Sequence, residues 1–110
     1  MSSRTPEIDT DQLAHELTGD VALIDVRETS EFVAGHVPGA ASVPMGQLAA
    51  WLPRIEKGRP VYVICASGNR SAAMTDLLVA AGCDAYSVAG GTAAWALAGR
   101  PVETGVSTSR

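Results

Sequence analysis

The sequence predicts an α/β fold in a single domain: a mainly parallel sheet flanked by helices on both faces. Three observations predict it. Four short β-rich runs alternate with stretches of helical periodicity, and that alternation arises when helices cover both sides of a parallel sheet. One run, Val61-Tyr62-Val63-Ile64-Cys65, is almost wholly apolar, as a strand buried on both faces must be. The chain has 110 residues, 46% of them hydrophobic, which suits one core and one domain.

The elements follow in order. Ile8, between Glu7 and Asp9, reads as a short edge strand. Asp9 and Gln12 have the spacing of a capping box, and Leu13, Ala14 and Leu17 share the face of the helix it opens. The run Val21-Ala22-Leu23-Ile24-Asp25-Val26 is a strand, followed by a short helix around Ser30–Ala34 and a second strand at Ala41-Ser42-Val43-Pro44. Leu48, Trp51, Leu52 and Ile55 form an i, i+3, i+4, i+7 stripe, but Pro53 falls inside it. Proline removes a helical donor, so the stripe predicts a kink or two short turns. After the Val61–Cys65 strand, Met74, Leu77, Leu78 and Ala81 mark one face of a helix over 71–81, with Gly82 as its C-terminal cap. A strand at Ala85-Tyr86-Ser87-Val88-Ala89 and a short helix around Thr92–Leu97 complete the set. The domain is expected over 6–103, with disordered ends at 1–5 and 104–110.

Composition excludes several functions. The net charge is −4 and the basic residues are scattered, which disfavours nucleic-acid binding. No apolar run approaches the roughly 18–20 residues that span a membrane, and the polar N-terminus has no apolar leader region. A cytoplasmic location is expected. The two cysteines, Cys65 and Cys83, do not form a CxxC pair, and His15 and His36 are the only histidines, so no metal site is expected. A helix over 71–81 is about 16 Å long at ~1.5 Å per residue, which places Cys83 far from Cys65 along the sheet. A disulfide needs Cα atoms roughly 4.4–6.8 Å apart, so the pair is expected to stay reduced.

The chemistry concentrates at Cys65. It ends the apolar strand and opens the loop Ala66-Ser67-Gly68-Asn69-Arg70-Ser71, with a helix directly behind. A helix N-terminus presents unpaired backbone N–H groups, which favour a thiolate and bind anions. Gly68 permits φ > 0, which lets successive N–H groups turn inward. Ser67 and Ser71 supply hydroxyls, Ser71 is placed as the helix-start residue, and Arg70 adds a fixed positive charge. A cysteine at a strand end is often only a small buried hydrophobe. That role has no use for the polar, glycine-containing loop that follows. In parallel α/β sheets ligands sit beyond the carboxyl ends of the strands. Cys65, Asp25-Val26-Arg27 and Gly90-Gly91 all fall at such ends, so their loops are expected to share one edge.

Four pieces of the chain, in this order, resemble the small single-domain members of the rhodanese family. They are Ile24-Asp25-Val26-Arg27, then Gly35-His36-Val37-Pro38-Gly39-Ala40, then Cys65 to Ser71, then Gly90-Gly91 with Trp95 and Gly99-Arg100-Pro101-Val102. The resemblance covers about residues 8–103. It implies a five-stranded parallel sheet and sulfur transfer through a cysteine persulfide. It also separates two chemistries by loop length. Rhodanese-type loops count six residues from the cysteine, as Cys65 to Arg70 does, whereas the related phosphatases and arsenate reductases carry one more. Many active members have arginine immediately after the cysteine; this chain has Ala66. That departure predicts weakened capture of doubly charged thiosulfate, modest thiosulfate:cyanide activity and a different donor, such as a protein or low-molecular-weight persulfide.

Other residues are weighed beside the loop. Asp25 and Arg27 either edge the pocket or brace the strand end, with Arg27 meeting Glu28 or Glu31. The resemblance places His36 in a turn before the second strand, away from catalysis. Trp95, Trp51 and Phe32 are expected in the core or pocket wall, and Cys83 as a structural thiol.

The function expected is therefore sulfur transfer from a donor such as thiosulfate or a persulfide to cyanide or a thiol. It runs through a persulfide on Cys65 cradled by residues 66–71, with ping-pong kinetics and no cofactor. The expected partners are a small sulfur donor and acceptor, or a protein thiol or persulfide. Three alternatives stay open: a non-catalytic interaction module, a persulfide carrier serving a partner enzyme, and a small phosphatase or arsenate reductase.

Overall fold

A computed structural model describes residues 4–106. The expected disordered ends thus fall partly, at 1–3 and 107–110, outside the described residues. Next to them, the Thr5 hydroxyl donates to Asp76 and the Gly105 N–H donates to the Val33 carbonyl.

Five strands form one sheet: β1 (Glu7–Ile8), β2 (Ala22–Asp25), β3 (Ala41–Ser42), β4 (Val61–Ile64) and β5 (Ala85–Val88). Their order is β1-β5-β4-β2-β3 and every pairing is parallel. The helices are α1 (Thr10–Glu16), α2 (Thr29–Ala34), α3 (Leu48–Trp51), α4 (Asn69–Ala80) and α5 (Gly91–Leu97). The capping box at Asp9 and Gln12 forms in both directions. The stripe containing Pro53 breaks as expected, with α3 set between single 3₁₀ turns at Met45–Gln47 and Leu52–Arg54.

Side-chain alternation along the strands divides the core in two. Ile24, Val61, Val63, Cys65 and Ala85 face one side, where Leu48, Trp51, Met74 and Leu78 cover them. Leu23, Tyr62, Ile64 and Val88 face the other, under Leu13, Phe32 and Trp95. Helices α3 and α4 thus form one layer, and α1, α2 and α5 the other. Strand β4 lies between β2 and β5 and is buried at every position. Its carboxyl end, where Cys65 follows, is therefore walled by the loops after β2 and β5.

Helix α4 starts two residues earlier than its apolar spacing implies. Gly68, at φ 110°, occupies the cap position, and Ser71 lies inside the first turn. The expectation that Ser71 starts the helix is corrected by this geometry. A left-handed glycine closes the turn, which frees the Ser71 side chain to point into the core.

Candidate active site

Cys65 is 1% exposed, at the end of the central strand. The Gly68 N–H points at its Sγ from 3.1 Å, and the Ser71 Oγ lies 3.5 Å away. Burial pushes the thiol pKa up. The Ser71 hydroxyl, with the N–H groups of Ser71, Gly68 and Ser67, outweighs it and brings the value below the ordinary 9.0. The site thus favours the nucleophilic form through short-range donors on one turn of chain.

The loop takes its shape from the turn after β5. The Thr92 N–H and hydroxyl both donate to the Cys65 carbonyl, at 2.8 and 3.0 Å, and the Ala93 N–H donates to the Ala66 carbonyl at 3.0 Å. With these carbonyls held by α5, the following amides are left to the sulfur. The close approach needs Gly91: at φ 60°, a Cβ there would lie 2.5 Å from the Cys65 carbonyl oxygen and 2.6 Å from that of Ala66.

The charges around the thiol are paired. Arg27 binds Asp25 through two nitrogens, with its Nη2 2.8 Å from Oδ2, and also donates to the Gly35 carbonyl. Asp25 is fully buried. The partner of Arg27 is therefore Asp25, not Glu28 or Glu31: the side chain folds back along the strand end, where a buried carboxylate requires a cation. Arg70 forms a fork with Glu31 of α2, at 2.8 and 3.0 Å. Arg70 and the Glu28 N–H hold the Glu31 carboxyl down to about 2. A hollow of about 370 Å³ opens beside the loop, lined by Arg27, Glu31, Ala66, Thr92, Ala93 and Val102 among others. Arg27 is thus on its wall, Asp25 is not, and Cys65 adjoins it through Ala66.

A family model for the rhodanese-like domain matches residues 9–98. The chain belongs to the rhodanese-like domain family. It is 35% identical over 99 residues to a sulfurtransferase from Allochromatium vinosum, covering 87% of this chain and 92% of that one. It is 39% identical over 74 residues to an uncharacterized protein from Bacillus subtilis, covering 66% of this chain and 59% of that protein's length. A crystal structure of a rhodanese-related protein from Thermoplasma volcanium superposes with a TM-score of 0.85 at 30% identity, covering 91% of this chain and 99% of that one.

Within this rhodanese-like domain the expected edge is assembled: Cys65, Asp25-Arg27 and Gly90-Gly91 come together at the carboxyl ends of three parallel strands. His36 is fully buried, stacked on Phe32 at 3.7 Å, with Nδ1 2.8 Å from the Phe32 carbonyl. Cys83 is a buried free thiol in the core. Sequence reasoning gave no part beside the cysteine loop to three residues that shape the site: Glu31, weighed only as a partner of Arg27, Thr92 and Ser87. Ser87 alone left a signal, as a hydroxyl on a strand whose Cα partners on β4 are apolar. No helix among the described residues is long and apolar enough to cross a membrane. No group of three or more His, Cys, Asp or Glu is arranged there to hold a metal.

Proposed function

We propose that this protein is a sulfurtransferase that carries sulfur as a persulfide on Cys65. The observation that carries the reading is the thiol's setting, with the Gly68 N–H 3.1 Å from Sγ and the thiol pKa held below 9.0. The Cys65 thiolate attacks the outer sulfur of the donor. A new S–S bond forms as the donor's S–S bond breaks, and its electron pair leaves with sulfite when the donor is thiosulfate. The loop of residues 66–71 holds the resulting Cys65–S–S⁻, with the amides of Ser67, Gly68 and Ser71 already directed at the cysteine sulfur. Cyanide or a thiolate then attacks the outer sulfur, and the bonding pair returns to Cys65 as thiolate. Two transfers through one covalent intermediate give ping-pong kinetics. The six residues from Cys65 to Arg70 match the rhodanese-type loop that the family resemblance implies, which supports sulfur over phosphate or arsenate as the reacting group.

The electrostatics refine the donor class. Arg27 is matched by Asp25, Arg70 by Glu31, and position 66 is alanine, so the hollow offers a dianion no unmatched cation from these positions. Its small apolar wall of Ala34, Ala66, Ala93, Ala96 and Val102 suits the carbon skeleton of an organic or protein persulfide. Thiosulfate is then a weak donor. Mixing the protein with each donor in the absence of acceptor separates the half-reactions. Release of sulfite from thiosulfate up to one equivalent per Cys65, slower than sulfur uptake from an alkyl persulfide, is expected. Turnover of p-nitrophenyl phosphate or arsenate with no sulfur uptake would overturn the assignment.

A further inference from the structure

A hydroxyl outside the loop sits behind the nucleophile. Ser87, on β5, is fully buried, and its Oγ lies 2.8 Å from the Ser71 Oγ. Ser71 is also fully buried, and its Oγ reaches the Gly68 carbonyl at 3.2 Å and Cys65 Sγ at 3.5 Å. Three hydroxyl or thiol groups thus stand in a row from the strand to the sulfur.

Proton counting gives the row a direction. The Ser71 hydroxyl has one proton and three neighbours able to accept it: Ser87 Oγ, the Gly68 carbonyl and Cys65 Sγ. The Ser87 hydroxyl has Ser71 as its hydrogen-bond partner. If Ser71 donated to Ser87, the Ser87 proton would be buried with no acceptor among the described residues, the costly case for a donor. If Ser87 donates, both hydroxyls are satisfied and the Ser71 proton is left for the carbonyl or the sulfur.

We propose that Ser87 is a positioning residue, which acts by donating to Ser71 and thereby aiming the Ser71 proton at Cys65 Sγ. While Cys65 is a thiol, Ser71 donates to the Gly68 carbonyl and accepts from both Ser87 and the S–H. When the thiol ionises, the Ser71 hydroxyl rotates to donate to the sulfur, and Ser87 holds the oxygen in place. Accepting from Ser87 also polarises the Ser71 hydroxyl, which makes it a stronger donor. The charged groups near the thiol, Arg70 with Glu31 and Arg27 with Asp25, belong to other elements and are untouched by changes at position 87.

The test is the pH profile of Cys65 alkylation by iodoacetamide, followed by intact mass on the full chain. It reads the thiol directly, so it stands even if the protein never transfers sulfur. Ser87→Ala is expected to raise the inflection by about half a unit to one unit, the effect of one buried neutral hydrogen bond. Ser87→Thr and Ser87→Val share a shape and differ in the hydroxyl, so the threonine variant should titrate near the parent and the valine variant higher. In a Ser71→Ala background, removing the Ser87 hydroxyl should change nothing, because the relay is already broken. An unchanged inflection in a folded Ser87→Ala protein, or additive shifts in the double variant, would overturn the proposal.

Discussion

Cys65 is the residue where opposing forces meet. Burial at the end of a central strand disfavours its charge, and short hydrogen bonds from the next turn restore it. The alkylation rate of the parent protein should therefore reach half its plateau below pH 9.0, and Ser71→Ala, which deletes the hydroxyl that hydrogen-bonds the sulfur, should move that point upward. Ala66 sets what the thiol can meet. Ala66→Arg should lower KM for thiosulfate about tenfold, since one charge-assisted hydrogen bond adds roughly 1.5 kcal/mol. Steady-state kinetics at constant ionic strength check it, and an unchanged KM contradicts the reading of the donor. At this scale the proposed nucleophile, Cys65, and the loop around it are contiguous in sequence, so the sequence alone could propose them. Ser87 and Glu31 lie 16 and 39 residues from their partners, so even the hydroxyl that Ser87 shows on its strand does not say in the sequence which residue it meets.

Two contacts between elements hold the cradle in shape. The turn opening α5 presses on the cysteine loop through Gly91. Gly91→Ala should destabilise the fold by roughly 3 kcal/mol or more, because it adds a backbone clash to left-handed strain. Gly39→Ala, at φ 91° with nothing within 4 Å of its Cβ, should cost only about 1 kcal/mol. Urea unfolding of the pair separates clash from strain. The second contact is the Glu31–Arg70 fork between α2 and α4. The Glu31 carboxyl is held at about 2, below its ordinary 4.5, so its stabilisation is present above about pH 4.5 and is lost as pH falls toward 2. The stability difference between the parent and Glu31→Gln should shrink over that interval; a difference constant from pH 6 to pH 2 contradicts it. Helix existence was legible from apolar spacing, but the start of α4 was not. Its first turn buries a serine hydroxyl beside the sulfur instead of an apolar side chain, so a glycine conformation, not a hydrophobic stripe, sets where it begins.

The whole molecule explains why the cysteine loop stands between two others at one edge of the sheet. Parallel pairing in the order β1-β5-β4-β2-β3 brings the ends of β2, β4 and β5 to one edge with Cys65 in the middle. The alternation of strands with helices made the layered parallel sheet readable in advance. Which charges neutralise each other across that edge required the folded chain, since Arg27 turns back to Asp25 and Arg70 crosses to another helix. The central claim is that Cys65 itself carries the transferred sulfur. Intact mass after incubation with thiosulfate or an alkyl persulfide tests it most directly. The account predicts a gain of one sulfur atom, absent in Cys65→Ser and reversed by cyanide. A folded protein that gains no sulfur from either donor, or that still gains it in Cys65→Ser, would contradict it.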